Sequence, residues 1–244
     1  MNRGAAGQTR RVSFLQIFYN SLTWRDFSTR FIIEISMRLP RFYPILDVVT
    51  VTRRGLQVVA AAEQILDAGA AILQFRYKGH FSREVFEELT RIADRCREKN
   101  ALLVVNDRAD IARLCGAGLH LGQDDLLPSD ARTVTGAGTP IGYSTHNETQ
   151  LRAANSEPVN YLALGPIFGT GSKENPDPVV GVEELRRLRP LTDRPLVAIG
   201  GITRANALQL IRAGADSVAV IGDLFPESGS IRDRTREWLE LLES

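Results

Sequence analysis

The sequence predicts a single (β/α)8 barrel, and three observations carry that expectation. From residue 41 short β-branched runs alternate with amphipathic stretches. Eight such runs are apolar without polar alternation, as parallel strands buried on both faces require. The whole repeat occupies about 200 residues, the size of one barrel.

The strand candidates are Tyr43–Val48, Ile72–Arg76, Leu102–Val105, Gly118–Leu121, Pro140–Ser144, Tyr161–Gly165, Leu196–Ile199 and Val218–Ile221. Between the second and third, Phe86, Leu89, Ala93 and Cys96 line one helical face, with Ser82 placed to cap its start. Thr203 is placed to cap a later helix running to Ala213. Three helices end alike, at Asp67-Ala-Gly-Ala, Leu114-Cys-Gly-Ala and Arg212-Ala-Gly-Ala, each just before a strand. Gly69, Gly116 and Gly214 suit the left-handed position that reverses the chain after a helix. A doubly wound sheet is the alternative, weakened because no Gly-x-Gly-x-x-Gly follows the first strand.

Composition narrows the function. The chain has 244 residues, 43% hydrophobic and 24% charged, with a net charge of +1. That excludes a wholly disordered chain and a strongly basic nucleic-acid binder. No apolar run is long enough for a membrane-spanning helix. Two cysteines, Cys96 and Cys115, read as buried thiols of a reducing compartment, the cytoplasm. Residues 1–40 carry six Arg against two acids, whereas residues 41–244 carry a net −3. That first segment lacks sustained periodicity. It is expected to be an unstructured extension, or upstream sequence translated in error with the true start at Met37; residues 41–244 form the catalytic domain. Only three lysines occur, Lys78, Lys99 and Lys173.

In a barrel the chemistry sits on loops after the strands. After the second strand, alternation sets Gln74, Arg76 and Lys78 on one side, either a solvated basic strand end or a polyanion site. Asp107, after Asn106, lies one strand from Asp124 and Asp125. Neighbouring strand ends can share one Mg²⁺, or these acids can cap the next helices. Ser144 and Thr145 offer hydroxyls for a phosphate or a helix cap, and His146 is equally ambiguous. The stretch from Gly165 to Pro178 is long for such a loop and supplies Thr170, Ser172 and Lys173, again anion chemistry. Gly200-Gly201 and Ile221-Gly222 follow the last two strands, where many barrels bind phosphate through backbone N–H groups. Two anion sites emerge, one cationic with a metal and one built of backbone, suited to two phosphorylated substrates.

Six motifs in register resemble the thiamine phosphate synthase family over residues 42–225. They are Gln74-x-Arg76-x-Lys78, Asn106-Asp107-Arg108, His120-Leu-Gly-Gln-Asp-Asp125, Ser144-x-His146, Gly165-Pro-Ile-Phe-x-Thr170-x-Ser172-Lys173 and Ala198-Ile-Gly-Gly-Ile202. The resemblance implies a barrel enzyme joining hydroxymethylpyrimidine diphosphate to thiazole phosphate, or its carboxylate, with release of pyrophosphate. It implies that Gln74, Arg76, Lys78 and Asn106 contact the diphosphate and pyrimidine, and that Ser144 and Lys173 contact pyrimidine and pyrophosphate. Arg76, Lys78, Ser144 and Lys173 are the expected catalytic residues. Asp107 and Asp125 match the Mg²⁺ ligands, with Asp125 favoured over Asp124. Thr170, Ser172, Gly201 and the backbone at Ile221 and Gly222 match the thiazole-phosphate contacts. The partners implied are small molecules; a homo-oligomer is left open. Ser172 stands where the family usually has Thr, Asn147 for a common Thr, Gly222 for a frequent Ser and Gly169 for a common Pro. The rival readings are a thiazole tautomerase on the same barrel and a non-catalytic binder of thiamine precursors.

Overall fold

The computed structural model describes residues 38–169 and 177–243. The expected extension therefore lies almost wholly outside the described residues, as do Thr170, Ser172 and Lys173; Arg38–Pro40 precede the first strand without regular structure.

Strand β1 (Phe42–Asp47) is followed by helices α1 (Val48–Arg53) and α2 (Val58–Asp67). Then β2 (Ile72–Arg76) leads to α3 (Arg83–Glu98), β3 (Leu102–Asn106) to α4 (Ala109–Cys115), and β4 (Gly118–Leu121) to α5 (Pro128–Thr135). The second half repeats the pattern: β5 (Ile141–Thr145) with α6 (Glu148–Ala154), β6 (Tyr161–Leu164) with α7 (Val182–Leu188), β7 (Leu196–Ile199) with α8 (Ala207–Arg212), and β8 (Ser217–Val220) with α9 (Ile231–Glu243). The strands pair in parallel in chain order and β8 closes on β1. Closure excludes the doubly wound alternative. It also gathers all eight strand C-termini at one mouth.

The strand positions agree with the sequence expectation to within a residue or two. Val48 opens α1 instead of ending β1, because the Asp47 carboxylate accepts hydrogen bonds from Thr50 N and starts a helix there. Ser82 caps α3, accepting from Val85 N. Thr203 does not cap α8 with its side chain: the preceding turn is closed by Asn206, whose side-chain oxygen accepts from Thr203 N. The three Gly-Ala helix ends share one geometry. Ala70, Ala117 and Ala215 each donate an N–H to the carbonyl five residues back, across a glycine of positive φ.

Two apolar layers result from strands that bury both faces. The larger lies between strands and helices and includes Phe75, Leu89, Cys96 and Trp238. The smaller fills the barrel interior, where Ile45, Ile72, Val104 and Val197 meet the rings of Tyr43 and Tyr161. Both cysteines are buried and unpaired, and burial pushes the Cys96 thiol up to about 12. Among the described residues no helix is long and apolar enough to cross a membrane.

Candidate active site

The mouth is built from the strand ends inward. Pairing sets Asp47 opposite Arg76 across β1 and β2. Asp47 is nearly sealed from water, caps α1 through Thr50, and accepts a charged hydrogen bond from Arg76 Nη1. Arg76 is thus a held cation at the rim, not a loose basic strand end. Gln74, two residues earlier, faces the interior and is buried, while Phe75 between them packs against the helices.

Lys78 lies half exposed with Nζ 2.5 Å from Asp107 Oδ2. Asp107 adopts a left-handed backbone, φ +66°, at the end of β3. Aspartate tolerates this conformation better than most side chains, and residues held in it cluster at functional sites. Neither acid proposed for a metal caps a helix. Arg108 precedes α4 without a side-chain cap, and Asp125 Oδ2 accepts from Gly122 N at 2.7 Å, closing its own turn before α5. Asp124 is exposed, whereas Asp125 is partly buried and close enough to Asp107 to act on its acid. Burial, and then this second carboxyl, push the Asp107 acid up to about 6 against the opposing pull of Lys78. Two hard carboxylates crowded together, one of them paired with Lys78, leave negative charge that a cation would relieve, and that donor set suits Mg²⁺. Among the described residues no group of three metal-ligating side chains occurs, so two carboxylates, Asp107 and Asp125, are what the described mouth offers a cation. Mg²⁺ commonly takes its remaining ligands from substrate phosphate and water.

Asn106 sits beside this pair, buried, and its Nδ2 finds no hydrogen-bond partner. An unsatisfied buried amide costs about 1–3 kcal/mol, which a ligand acceptor would recover. Ser144, on β5, is bonded to His120 Nε2 at 2.9 Å. Its neighbour Thr145 donates to the Ala163 carbonyl at 2.9 Å, and Asn147 caps α6 in place of either hydroxyl. His146 Nδ1 meets the Gly165 carbonyl and its Nε2 lies 3.5 Å from Asp177.

The stem of the long loop after β6 is pinned onto β7. Ile167 N donates to Ile199 O at 2.8 Å, and Phe168 N to Gly200 O at 3.0 Å. Gly201 is required by this contact: with φ +63°, a Cβ there would lie 2.5 Å from the Gly169 carbonyl oxygen. Gly201→Ala is therefore expected to lower stability by about 2–4 kcal/mol, combining left-handed strain with overpacking, read as a shift in the urea midpoint. Gly222 differs: it opens a short turn, Gly222–Leu224, behind Ile221, and a Cβ there would meet nothing within 4 Å. Asp223 in that turn is held by Arg204 Nε at 3.1 Å.

Sequence reasoning missed Tyr43, Asp47 and Tyr161, and gave His120 no role. Tyrosines inside apolar runs carry no signal of their own, and Asp47 reads as the polar position within the first strand candidate, Tyr43–Val48. A cleft of about 490 Å³ between α1, α2 and α3, lined by Val48, Leu56, Tyr77 and Glu88, shares no residue with the strand-end cluster.

The profile of the family described as thiamine monophosphate synthase matches residues 46–224. The chain belongs to the thiamine monophosphate synthase family. A thiamine-phosphate synthase of Koribacter versatilis is 45% identical over 218 residues, covering 85% of this chain and 98% of the relative. Another, from Persephonella marina, is 36% identical, covering 78% and 90%. Among solved structures, thiamine phosphate pyrophosphorylase from Pyrococcus furiosus superposes with a TM-score of 0.74 at 30% identity, covering 83% of this chain and 95% of that one. These likenesses make the protein a transferase enzyme of thiamine biosynthesis. A native KDPGal structure with TM-score 0.64 at 18% identity shows only that the barrel is shared more widely than this synthase family.

Proposed function

We propose that this synthase condenses 4-amino-2-methyl-5-hydroxymethylpyrimidine diphosphate with thiazole phosphate, or its carboxylate, giving thiamine phosphate and pyrophosphate. The convergence of Lys78, Asp107 and Asp125, with Arg76 alongside, carries the reading. That cluster can receive a diphosphate and a divalent cation together. Asp107 and Asp125 would hold Mg²⁺, which when bound supplies Lewis-acid neutralisation of diphosphate oxygens.

Arg76 and Lys78 then hold the diphosphate and stabilise it as it leaves. The aminopyrimidine can delocalise the positive charge left on its methylene carbon. Asn106 Nδ2, unsatisfied without a ligand, offers one further donor. Ser144 and Gln74 address the pyrimidine from the barrel interior. Lys173, Thr170 and Ser172 are assigned by sequence alone, to pyrophosphate and thiazole phosphate respectively. Positioning the thiazole nitrogen against the cation completes the reaction, and no general base is needed.

The test is an incubation of purified protein with both substrates and Mg²⁺, following pyrophosphate and thiamine phosphate. Coupled formation of both, abolished by EDTA and restored by Mg²⁺, is expected. Absence of product from folded protein overturns the reading; full turnover in EDTA removes the metal role of Asp107 and Asp125.

Gly222 allows a finer prediction. Its open Cβ position accepts a serine without displacement. Gly222→Ser should lower KM for thiazole phosphate several-fold, the worth of about one hydrogen bond, with kcat little changed.

A further inference from the structure

A continuous hydrogen-bonded chain crosses the barrel interior. Gln74 Nε2 donates to Tyr43 Oη at 3.1 Å. Tyr43 Oη lies 2.7 Å from Tyr161 Oη, Tyr161 Oη lies 3.1 Å from His120 Nδ1, and His120 Nε2 lies 2.9 Å from Ser144 Oγ. Three of its members, Tyr43, Tyr161 and His120, touch no expected substrate group, yet they link two residues that do. The packing is built for it. Gly142 on β5 has no side chain where a Cβ would lie 2.0 Å from the Tyr161 ring. That space lets Tyr161 reach from β6 across β5 to stack on His120 of β4, centroids 5.7 Å apart.

With the Gln74 amide nitrogen turned to Tyr43, the chain has one polarity that satisfies every member. Because Tyr43 Oη accepts from Gln74, its own proton must go to Tyr161. Tyr161 then donates to His120 Nδ1, which leaves the imidazole proton on Nε2, donated to Ser144 Oγ. The reverse polarity needs the Gln74 amide turned over, so that its oxygen accepts from Tyr43; it places the imidazole proton on Nδ1, and the His120 tautomer therefore tells the two apart. The Ser144 hydroxyl proton remains for a ligand, and so does the Gln74 side-chain oxygen.

The geometry points to Tyr43, Tyr161 and His120 as positioning residues that hold Ser144 as a donor and Gln74 as an acceptor toward the substrate. One side of the mouth thus asks for a bare ring nitrogen or oxygen, the other for an N–H. An aminopyrimidine offers both. The substrate assignment rests on the function proposed above; the polarity of the chain does not.

Two measurements test it. The protein has three histidines, His80, His120 and His146, so ¹⁵N NMR of the side chains is readily assigned by elimination using His80→Gln and His146→Gln. Wild-type His120 should appear as the neutral tautomer protonated on Nε2. A proton on Nδ1 overturns the proposal, whether or not the protein turns over. The second is a double-mutant cycle with Ser144→Ala and His120→Asn. Each single change should lower kcat/KM for the pyrimidine diphosphate 10-fold to 100-fold, leaving KM for thiazole phosphate within 2-fold, and the double variant should be no worse than Ser144→Ala. Losses that multiply, or an equal rise in thiazole-phosphate KM, overturn it. Should His120→Asn fail to fold, the tautomer measurement on the wild type decides alone.

Discussion

Asp107→Asn is expected to lower turnover by about 10²–10³-fold or more while making the metal-free protein more stable. The activity loss follows from removing one of two carboxylates proposed to hold the cation. The stability gain follows from burial. The folded protein holds the Asp107 carboxyl near 6, above its ordinary 3.8, so its ionised form is disfavoured by folding. Below about pH 3.8 the acid is neutral folded and unfolded, and wild type and variant should match. Between 3.8 and 6 the unfolded chain releases its proton first, so the wild type loses stability relative to the variant as pH rises. Above 6 the difference is constant. Partial hydration of the carboxyl reduces the full linkage value to about 1–2 kcal/mol. Asparagine tolerates the left-handed backbone at this position, so the exchange adds no new strain. Urea denaturation in EDTA at pH 4 and pH 7 checks the sign. A variant less stable than wild type at pH 7 would show that Asp107 is compressed less than its surroundings imply. Site and fold pull against one another here, as expected where a cluster awaits a ligand.

Lys78→Ala is expected to reduce kcat by about 10²–10³-fold, because charge on the departing diphosphate is greatest in the transition state. A second effect separates this from simple loss of a phosphate contact. Lys78 is the partner that opposes the upward push on Asp107. Without it the Asp107 carboxyl moves further up, protons compete better with the cation, and the Mg²⁺ concentration for half-maximal rate should rise several-fold at neutral pH. Raising the pH should recover that metal requirement but not kcat. Lys78→Arg should restore part of both. Titrating Mg²⁺ against rate at two pH values separates the effects; an unchanged metal requirement would show that Lys78 acts on the substrate alone.

The barrel was legible because its signals are local. Eight apolar runs, three Gly-Ala helix ends and Ser82 as a cap each depend on a few adjacent residues, and each is found where expected. The site was legible in outline, because residues after successive strands must meet at one mouth once the barrel closes. Which partner each residue takes was not. Asp107 and Asp125 read equally as helix caps until their turns placed them together. Thr203 read as a cap until Asn206 was found closing that turn. His146 has no aspartate near it in sequence, yet Asp177 lies 3.5 Å away in space.

The residues alone determined the barrel, the basic Gln74-x-Arg76-x-Lys78 strand end, the acids after the next two strands and, by resemblance, the family. Only the tertiary structure decided that Asp47 holds Arg76, that Asp125 rather than Asp124 faces Asp107, and that Tyr43, Tyr161 and His120 join Gln74 to Ser144 through the barrel interior. The reason is one of range. Strand and helix preferences are set by neighbours a few residues apart. A carboxylate pair across two loops exists only once neighbouring strands pair, and a hydroxyl chain crossing a barrel only after closure brings distant side chains together, as with Tyr43 and Tyr161, 118 residues apart and 2.7 Å between hydroxyls.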